Sequence, residues 1–350
     1  MATRRGIFFS GSPGNPLARV HPAALLAGVF LLAYPAFATD FFTFQIGAYS
    51  LILGTVALSL MMLAGYGGMV SLAQLTVAGF AGYLVAILGD NSVGVMGLGW
   101  PWWVTVPTAI LAAAVFATLI GLISVRTEGI YTIMITLAIA VAFFYFVRQN
   151  YDLFNGFTGF AGIEPPTLFG LYWRDPAPFY YLSLAVAGFF FFAVIYCARS
   201  TFGLSLQAIR DNPRRMRAIG FDVTLHRVAA YFFSGVIAGS AGVLLVWFNG
   251  RISPGSVGVD VAIDILVIAV VGGLRHPVGP FVGALAFVLL ENFAIDLIDR
   301  ERFNTVIGLA FLLVVLFSPD GLLGLWNRVK DKLRFRRTAQ LRPLEGGGAE

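Results

Sequence analysis

Long apolar runs alternate with short polar connections along nearly the whole chain. A helix needs about 20 predominantly apolar residues to cross a hydrocarbon core roughly 30 Å thick. Runs of this kind fall at about 22–39, 42–64, 70–89, 102–125, 130–147, 178–197, 228–249, 257–273, 279–298 and 303–318. The pattern predicts an all-α integral membrane protein with about ten transmembrane helices. The 257–273 run is short for a full crossing, and the 70–89 run either spans or re-enters.

The basic residues between these runs predict the topology. Cytoplasmic connections of membrane proteins are enriched in Lys and Arg. When the spans alternate from an arginine-containing N-terminus placed inside, Arg126, the 199–227 loop and Arg275 also fall inside, and only the 299–302 turn goes against the trend. Both termini are therefore expected in the cytoplasm. The expected regions are an N-terminal segment without a removable signal peptide (1–21), a transmembrane domain (22–325) and a basic tail (326–350).

Composition agrees with a membrane protein and excludes several other classes. Hydrophobic residues make up 58% of the chain and charged residues 12%, outside the range of a soluble globular domain. The net charge of +5 does not indicate nucleic-acid binding, because the basic residues lie at the ends of apolar runs. One cysteine and three scattered histidines predict no internal disulfide, no metal site and no cofactor.

The segment from Arg199 to Arg227, called the basic loop below, is the longest arginine-rich stretch between two runs. It holds six arginines against two aspartates. Residues 205–209 favour a helix, Asn212-Pro213 interrupts it, and a second short helix is expected from Pro213 to Gly220. Glycine suits the left-handed position after a helix end. This pattern predicts a compact cytoplasmic element that docks a soluble partner.

A glycine cluster at residues 65–68 separates the second and third runs. Such clusters either let helices pack closely, which is the commoner reason, or let the backbone bend along a water-filled path. The polar residues Ser71, Gln74 and Thr76 and a second Gly/Pro interruption at 272–280 favour a path. A nucleotide-binding P-loop is excluded, since it requires a lysine after the glycines and both lysines lie in the tail.

Ionisable residues within the runs are few. Asp264 is the strongest candidate for a pathway, with Asp260 one turn away on the same face, and Glu291 and Asp296 are weaker ones. A polar link between helices, or a side chain that reaches to the interface, is the commoner explanation of such residues. The chain of acidic and histidine groups that a proton-driven carrier would need is missing.

Small residues on the 228–249 run, from Ser234 to Gly242, predict close helix packing. Ser234 and Ser240 have no histidine or lysine partner in this segment, so they do not indicate a hydrolase. No part of the sequence predicts a catalytic site.

Four stretches together resemble the LivM-type permease of the branched-chain amino acid ABC importer family, over about residues 45–325. The first is GYGGMVSLAQLTVAGFAGYL (65–84), similar to the family's GYxGxxSLGxxxFxGxGAY segment. The most specific is FGLSLQAIRDNPRRMRAIGFDVTLHRVAAYFFSGVIAGSAGVL (202–244), which resembles FGRALxAIRDNxxxAxALGxxVxxxKxxAFxxSAxxAGxAGAL. The others are ILVIAVVGGLRHPVGPFVGALAFVLLE (265–291) and LLVVLFSPDGLLGL (312–325).

The resemblance implies an ABC importer permease fold in a bacterial inner membrane. It implies four kinds of contact: a second homologous permease, two cytoplasmic ATPase subunits, a periplasmic solute-binding protein and membrane lipid. The ATPase-coupling residues would be Arg210, Asp211, Asn212, Pro213, Arg214, Arg215, Arg217 and Gly220. The translocation path would include Thr158, Gly159 and Gly162 from the outer motif, together with the candidates Gly67, Gly68, Ser71, Gln74 and Asp264.

The outer motif at 158–163 departs from the family's TGGSxGL, since it is one residue shorter and lacks the serine and the middle glycine. Gln74 also replaces a residue that is usually small or part of an SLGH-like turn. The solute therefore stays open, with branched-chain amino acids first and urea, short amides or small carboxylates as others. The alternative is a stand-alone secondary carrier or channel, against which the basic loop and the missing acidic relay both count.

Overall fold

The computed structural model describes residues 22–91, 97–167 and 172–294, with a few single positions after residue 294. The predictions for the 1–21 segment, the 299–302 turn, the 303–318 span and the 326–350 tail lie wholly or largely outside the described residues. The closing motif stretch at 312–325 lies largely outside them as well.

Within the described ranges the chain is almost entirely helical. The α-helices are α1 (Pro22–Phe37), α2 (Tyr49–Met61), α3 (Gln74–Leu88), α4 (Trp102–Ser124), α5 (Ile130–Gln149), α6 (Tyr151–Phe154), α7 (Pro176–Arg199), α8 (Thr201–Asp211), α9 (Pro213–Ala218), α10 (Val223–Asn249), α11 (Val259–Gly272) and α12 (Gly279–Ala294). π-Helical turns at Phe42–Ala48 and Met62–Tyr66 extend α2 at both ends, and Pro254–Val257 forms a 3₁₀ turn. Two short strands, β1 (Phe160–Ala161) and β2 (Arg251–Ile252), pair antiparallel with Phe160 opposite Ile252.

Five helices of the described part are long and apolar enough to cross a membrane. They are Phe42–Tyr66, Trp102–Ser124, Ile130–Gln149, Pro176–Arg199 and Val223–Asn249. Each coincides with a predicted span. The helices α1, α3, α11 and α12 coincide with four more predicted spans but are shorter.

The centre of the bundle consists of the 42–66 helix, α3 and α10. The most apolar part of the 42–66 helix is 94% buried, whereas the corresponding part of α7 is 22% buried. Small residues allow the close approach, because a Cβ at Gly242 would lie 2.0 Å from the Ala78 carbonyl oxygen and one at Gly235 would lie 2.5 Å from the Ala117 Cβ. The close packing predicted from the small-residue stripe of α10 is confirmed.

The helices α4, α5 and α7 surround this centre and present apolar side chains outward. Leu111 on α4, Met134 on α5 and Phe192 on α7 are each more than half exposed. A soluble protein seldom exposes so many large apolar side chains in continuous faces. In a bilayer such faces contact lipid, and every backbone polar group is satisfied inside its helix.

The third apolar run does not form one spanning helix. The helix α3 starts at Gln74 rather than at residue 70 and has 15 residues, or about 22 Å at 1.5 Å per residue, which is too short for a hydrocarbon core of roughly 30 Å. Residues 69–73, called the linker below, are non-helical and almost wholly buried. The backbone turns at Gly68, which has φ +69°, and the Leu72 N–H donates to Thr136 Oγ1 at 3.1 Å.

The connections between helices fall into two groups at opposite ends of the bundle. At one end lie the basic loop, residues 65–68 (the glycine turn), the 125–129 connection and the turn after α11. A Cβ at Gly65 would meet the Leu274 carbonyl oxygen, which shows that the two glycine interruptions contact each other. At the other end, β1 pairs with β2 and joins the connection after α5 to the connection after α10.

Candidate functional site

The basic loop folds as a helix, a break and a short helix, as the sequence predicts. Ser200 caps α8 by accepting the Gly203 N–H at 3.2 Å, and Asn212 caps α9 by accepting the Arg215 N–H at 3.0 Å. Pro213 occupies the first turn of α9, where its missing N–H costs no hydrogen bond. Gly220 has φ +90° and ends the second helix. These local signals explain why this segment could be predicted.

The loop has a small core of its own and an exposed outer surface. Ile209, Met216 and Val223 are buried together and hold α8, α9 and the start of α10 against one another. Arginine and large apolar side chains make up much of the outer surface, which also exposes Asp211 and Asp222. The exposed arginines and large apolar residues after α8 begins include Arg214, Arg215, Arg217, Leu204, Ile219, Phe221 and Leu225. Such a mixture of arginine and large apolar side chains is typical of a protein-binding surface.

Arg210 reaches from the basic loop to the glycine turn. Its Nη1 donates a hydrogen bond to the carbonyl oxygen of Gly65, and its Nε and Nη2 donate to Asp211 Oδ1 at 3.0 and 2.9 Å. A Cβ at Gly68 would lie 2.6 Å from the Arg210 Cγ. Gly67 also lies against the α8 side chain Leu206. The structure therefore brings together four residues that the sequence analysis singled out, namely Arg210, Asp211, Gly67 and Gly68.

Gln74 lies in a buried polar cluster where the three central helices meet. Its Oε1 accepts hydrogen bonds from Ser59 Oγ at 3.1 Å and from Ser234 Oγ at 2.8 Å. Ser234 is near the middle of α10, so the start of α3 lies at mid-depth in the bundle. The Nε2 of Gln74 is buried without a hydrogen-bond partner among the described residues. Ser71, also buried, accepts from the Ala73 N–H at 3.4 Å.

The other path candidates lie elsewhere. Thr158, Gly159 and Gly162 are at the end of the bundle opposite the basic loop, where a Cβ at Gly159 would meet the Ile252 carbonyl oxygen. Asp264 is half-buried on α11, within electrostatic range of Asp260. The candidate path residues thus lie in the glycine turn, at the buried start of α3, in the outer connection and on α11, rather than in one pocket.

An arginine of the basic loop is buried, which sequence reasoning missed. Arg227 belongs to α10, its side chain is 9% exposed, and its Nη1 lies 3.7 Å from Glu128 Oε1. The pair ties the start of α10 to the connection between α4 and α5. A signal was present, since both charges fall in connections that the topology places on the same side.

A cavity of about 580 Å³ opens at the end opposite the basic loop. Three carboxylates (Asp40, Glu164 and Asp175), Arg174 and the aromatic rings of Phe41, Phe44 and Tyr172 line it. Arg174 pairs with Glu164 at 3.3 Å, and both side chains are well exposed. Sequence reasoning did not find this cavity, because its walls come from connections that are far apart along the chain. Among the described residues, no group of three His, Cys, Asp or Glu side chains could hold a metal ion.

Comparison with known proteins agrees with this architecture. Residues 42–316 match the family of branched-chain amino acid transport system permease components. The chain belongs to this permease family. Together with its apolar helices, this makes it a multi-pass membrane protein.

Several curated relatives are similar over most of the chain. The high-affinity branched-chain amino acid transport system permease proteins LivM of Salmonella typhimurium and Escherichia coli are each 25% identical over 291 residues, which is 77% of this chain. The match covers 65% of the length of those two relatives. A probable branched-chain amino acid transport permease protein LivH of Methanocaldococcus jannaschii is 28% identical over 306 residues, covering 83% of this chain and 85% of the relative. No solved structure matches the chain.

Proposed function

We propose that this chain is one permease subunit of an ATP-binding-cassette importer and forms half of the transmembrane path for a small amino-acid-like solute. Branched-chain amino acids are the first candidates, because the curated relatives carry that name. Urea, short amides and small carboxylates are the other candidates, because the outer motif departs from the family pattern. The observation that carries the proposal is the basic loop, which offers exposed arginines and apolar side chains at one end of a lipid-exposed bundle.

The proposed topology has ten spans in a bacterial inner membrane, with both termini in the cytoplasm. The separation of the connections into two groups at opposite ends supports this arrangement. The connections that the charge pattern assigns to the inside, at 65–69, 126–129, 199–227 and 274–278, lie at the same end of the bundle.

The two ends of the bundle would face different partners. Two cytoplasmic ATPase subunits would bind across the basic loops of this chain and of a second, homologous permease, with Arg210–Arg215, Arg217 and Gly220 as coupling residues. A periplasmic binding protein would deliver the solute at the opposite end, near Thr158, Gly159 and Gly162. ATP hydrolysis belongs to the separate subunits, and this chain moves solute without making or breaking bonds.

The proposed path runs past Gln74 at mid-depth. The buried N-terminus of a short helix, with unpaired polar groups beside it, is the type of feature that contacts solute in transporters with broken helices. Gly67 and Gly68 would allow the backbone to bend before this point, Ser71 would add a polar side chain, and Asp264 would face the path from α11.

Purification of the tagged chain from membranes of its native host in mild detergent tests the proposal, with mass spectrometry of co-purifying proteins. We expect two ATPases and a second permease. A homo-oligomer without any ATPase would contradict the importer and support the stand-alone carrier. Uptake of radiolabelled leucine by the reconstituted complex, with competition by urea, acetamide and propionate, would then identify the solute class.

A further inference from the structure

Arg210 connects α8 of the basic loop to the glycine turn. It lies in the last turn of α8, on the same face as Leu206, and both side chains lie against the glycine turn. Asp211 accepts two hydrogen bonds from one edge of the guanidinium, which fixes its plane and directs Nη1 to the Gly65 carbonyl oxygen. A planar fork with several donors can bridge two acceptors in this way, whereas a lysine ammonium cannot hold the same fixed geometry.

The helix that carries Arg210 is anchored at its other end. Gln207 Nε2 donates to the Ala198 carbonyl oxygen at 2.9 Å, and Ser200 Oγ donates to the Cys197 carbonyl oxygen at 2.6 Å. A Cβ at Gly203 would lie 2.0 Å from the Cys197 carbonyl oxygen, so the elbow between α7 and α8 is tightly packed. A force on α8 therefore acts on a stiff element.

The contact point on the other side is the end of the 42–66 helix. The last carbonyls of a helix have no partner within it, so a side-chain donor at this position stabilises the helix end. The Gly68 backbone is left-handed and leaves no room for a side chain against the Arg210 stem. The linker begins directly after this residue and leads to Gln74, whose side chain bonds Ser59 and Ser234.

We propose that Arg210, Gly65 and Gly68 form a joint through which movement of α8 reaches the linker and the start of α3 directly, without passing along the length of a transmembrane helix. Arg210 is a positioning residue in this joint and contacts no solute. The inference rests on the proposed function, since it assumes that bound ATPases move the basic loop.

Hydrogen–deuterium exchange of the complete complex with its partner permease and ATPases tests the joint. Exchange is compared with and without AMP-PNP for this chain as it occurs naturally, for Arg210→Gln, for Arg210→Lys and for Arg126→Gln, an exposed arginine at the same end of the bundle. In the natural chain we expect AMP-PNP to change exchange both in α8–α9 and in residues 69–74. In Arg210→Gln we expect the change only in α8–α9, and Arg126→Gln should behave as the natural chain does.

Transport and ATP hydrolysis of the same complexes in proteoliposomes separate the joint from a simple surface role. Arg210→Gln should lower solute uptake by about tenfold while ATPase co-purification and hydrolysis persist, so that more ATP is spent per solute. Uptake by Arg210→Lys, which keeps the charge and much of the bulk, should lie between that of the natural chain and that of Arg210→Gln. This variant replaces Arg210→Gln in the test if Arg210→Gln does not fold.

Three outcomes would overturn the joint: an unchanged linker response in Arg210→Gln, no linker response in the natural chain, or loss of ATPase binding together with transport. Failure of the natural chain to bind any ATPase would instead overturn the proposed function.

Discussion

The basic loop and the glycine turn with its linker both interrupt apolar helices, but different forces hold them. The basic loop is exposed, and caps within a few residues (Ser200, Asn212 and Gly220) determine its shape. The linker is buried, and besides local bonds it makes bonds to residues distant in sequence, such as Thr136 and, through Gln74, Ser234. An element that must meet a soluble partner is thus folded locally, whereas an element at mid-depth depends on the packing of the whole bundle.

We expect the largest effect from substitutions in the exposed basic loop. The double substitution Arg214→Glu with Arg217→Glu reverses two exposed charges of the basic loop. It should abolish binding of the ATPases and lower uptake by about 100-fold or more, because an ATPase surface that is complementary to arginine would repel glutamate. Insertion into the membrane should be unchanged. Co-purification and uptake measure the effect, with Arg126→Glu as the control. Uptake at the natural rate would contradict the coupling role.

Gly68 in the glycine turn and Gly220 in the basic loop both have left-handed backbones, and their substitution should destabilise the protein to different extents. Gly68→Ala combines left-handed strain of about 1–2 kcal/mol with a clash against the Arg210 stem of about 1–3 kcal/mol. Gly220→Ala carries the strain alone, since no atom lies within 4 Å of its added Cβ. The thermal unfolding temperature of the purified protein in detergent should therefore fall further for Gly68→Ala than for Gly220→Ala. Equal losses would show that the glycine turn is as loosely packed as the end of the basic loop.

The smallest expected effect is on the buried polar cluster. Ser234→Ala removes a hydrogen bond between α10 and Gln74 and should destabilise the protein by about 1 kcal/mol. Ser240→Ala is the matched control, because Ser240 Oγ donates only to the Val236 carbonyl oxygen of its own helix at 2.8 Å. Chemical denaturation in detergent compares the two. A larger loss for Ser240→Ala would contradict the link between helices.

Much of the fold could be predicted from the sequence because the signals are local. The apolar runs fix where the described helices occur, and Asn212-Pro213 and Gly220 fix the basic loop. The start of α3 could not be predicted in this way. Residues 70–73 are apolar or small, as expected in a helix, and the bond from the Leu72 N–H to Thr136 that keeps them out of one is a tertiary contact.

The candidate site could be predicted only in part for the same reason. The polar residues Ser71 and Gln74 were identifiable from their position after the glycines, but their partners Ser59 and Ser234 were not, since both are on helices that look uniformly apolar or small. Arg227 looks like a surface residue of the basic loop but is buried, with its Nη1 3.7 Å from Glu128 Oε1. Sequence pattern therefore identifies candidate groups, and packing decides which of them meet.

Photo-crosslinking from the two ends of the bundle tests whether the basic loop faces the ATPases and the opposite end faces the solute-binding protein. A photoreactive amino acid replaces Arg217 in the basic loop or Phe157, which is 68% exposed at the opposite end, in cells that produce the whole system. We expect position 217 to form adducts with the ATPases and position 157 to form adducts with the solute-binding protein. ATPase adducts from position 157, or none from position 217, would contradict this orientation.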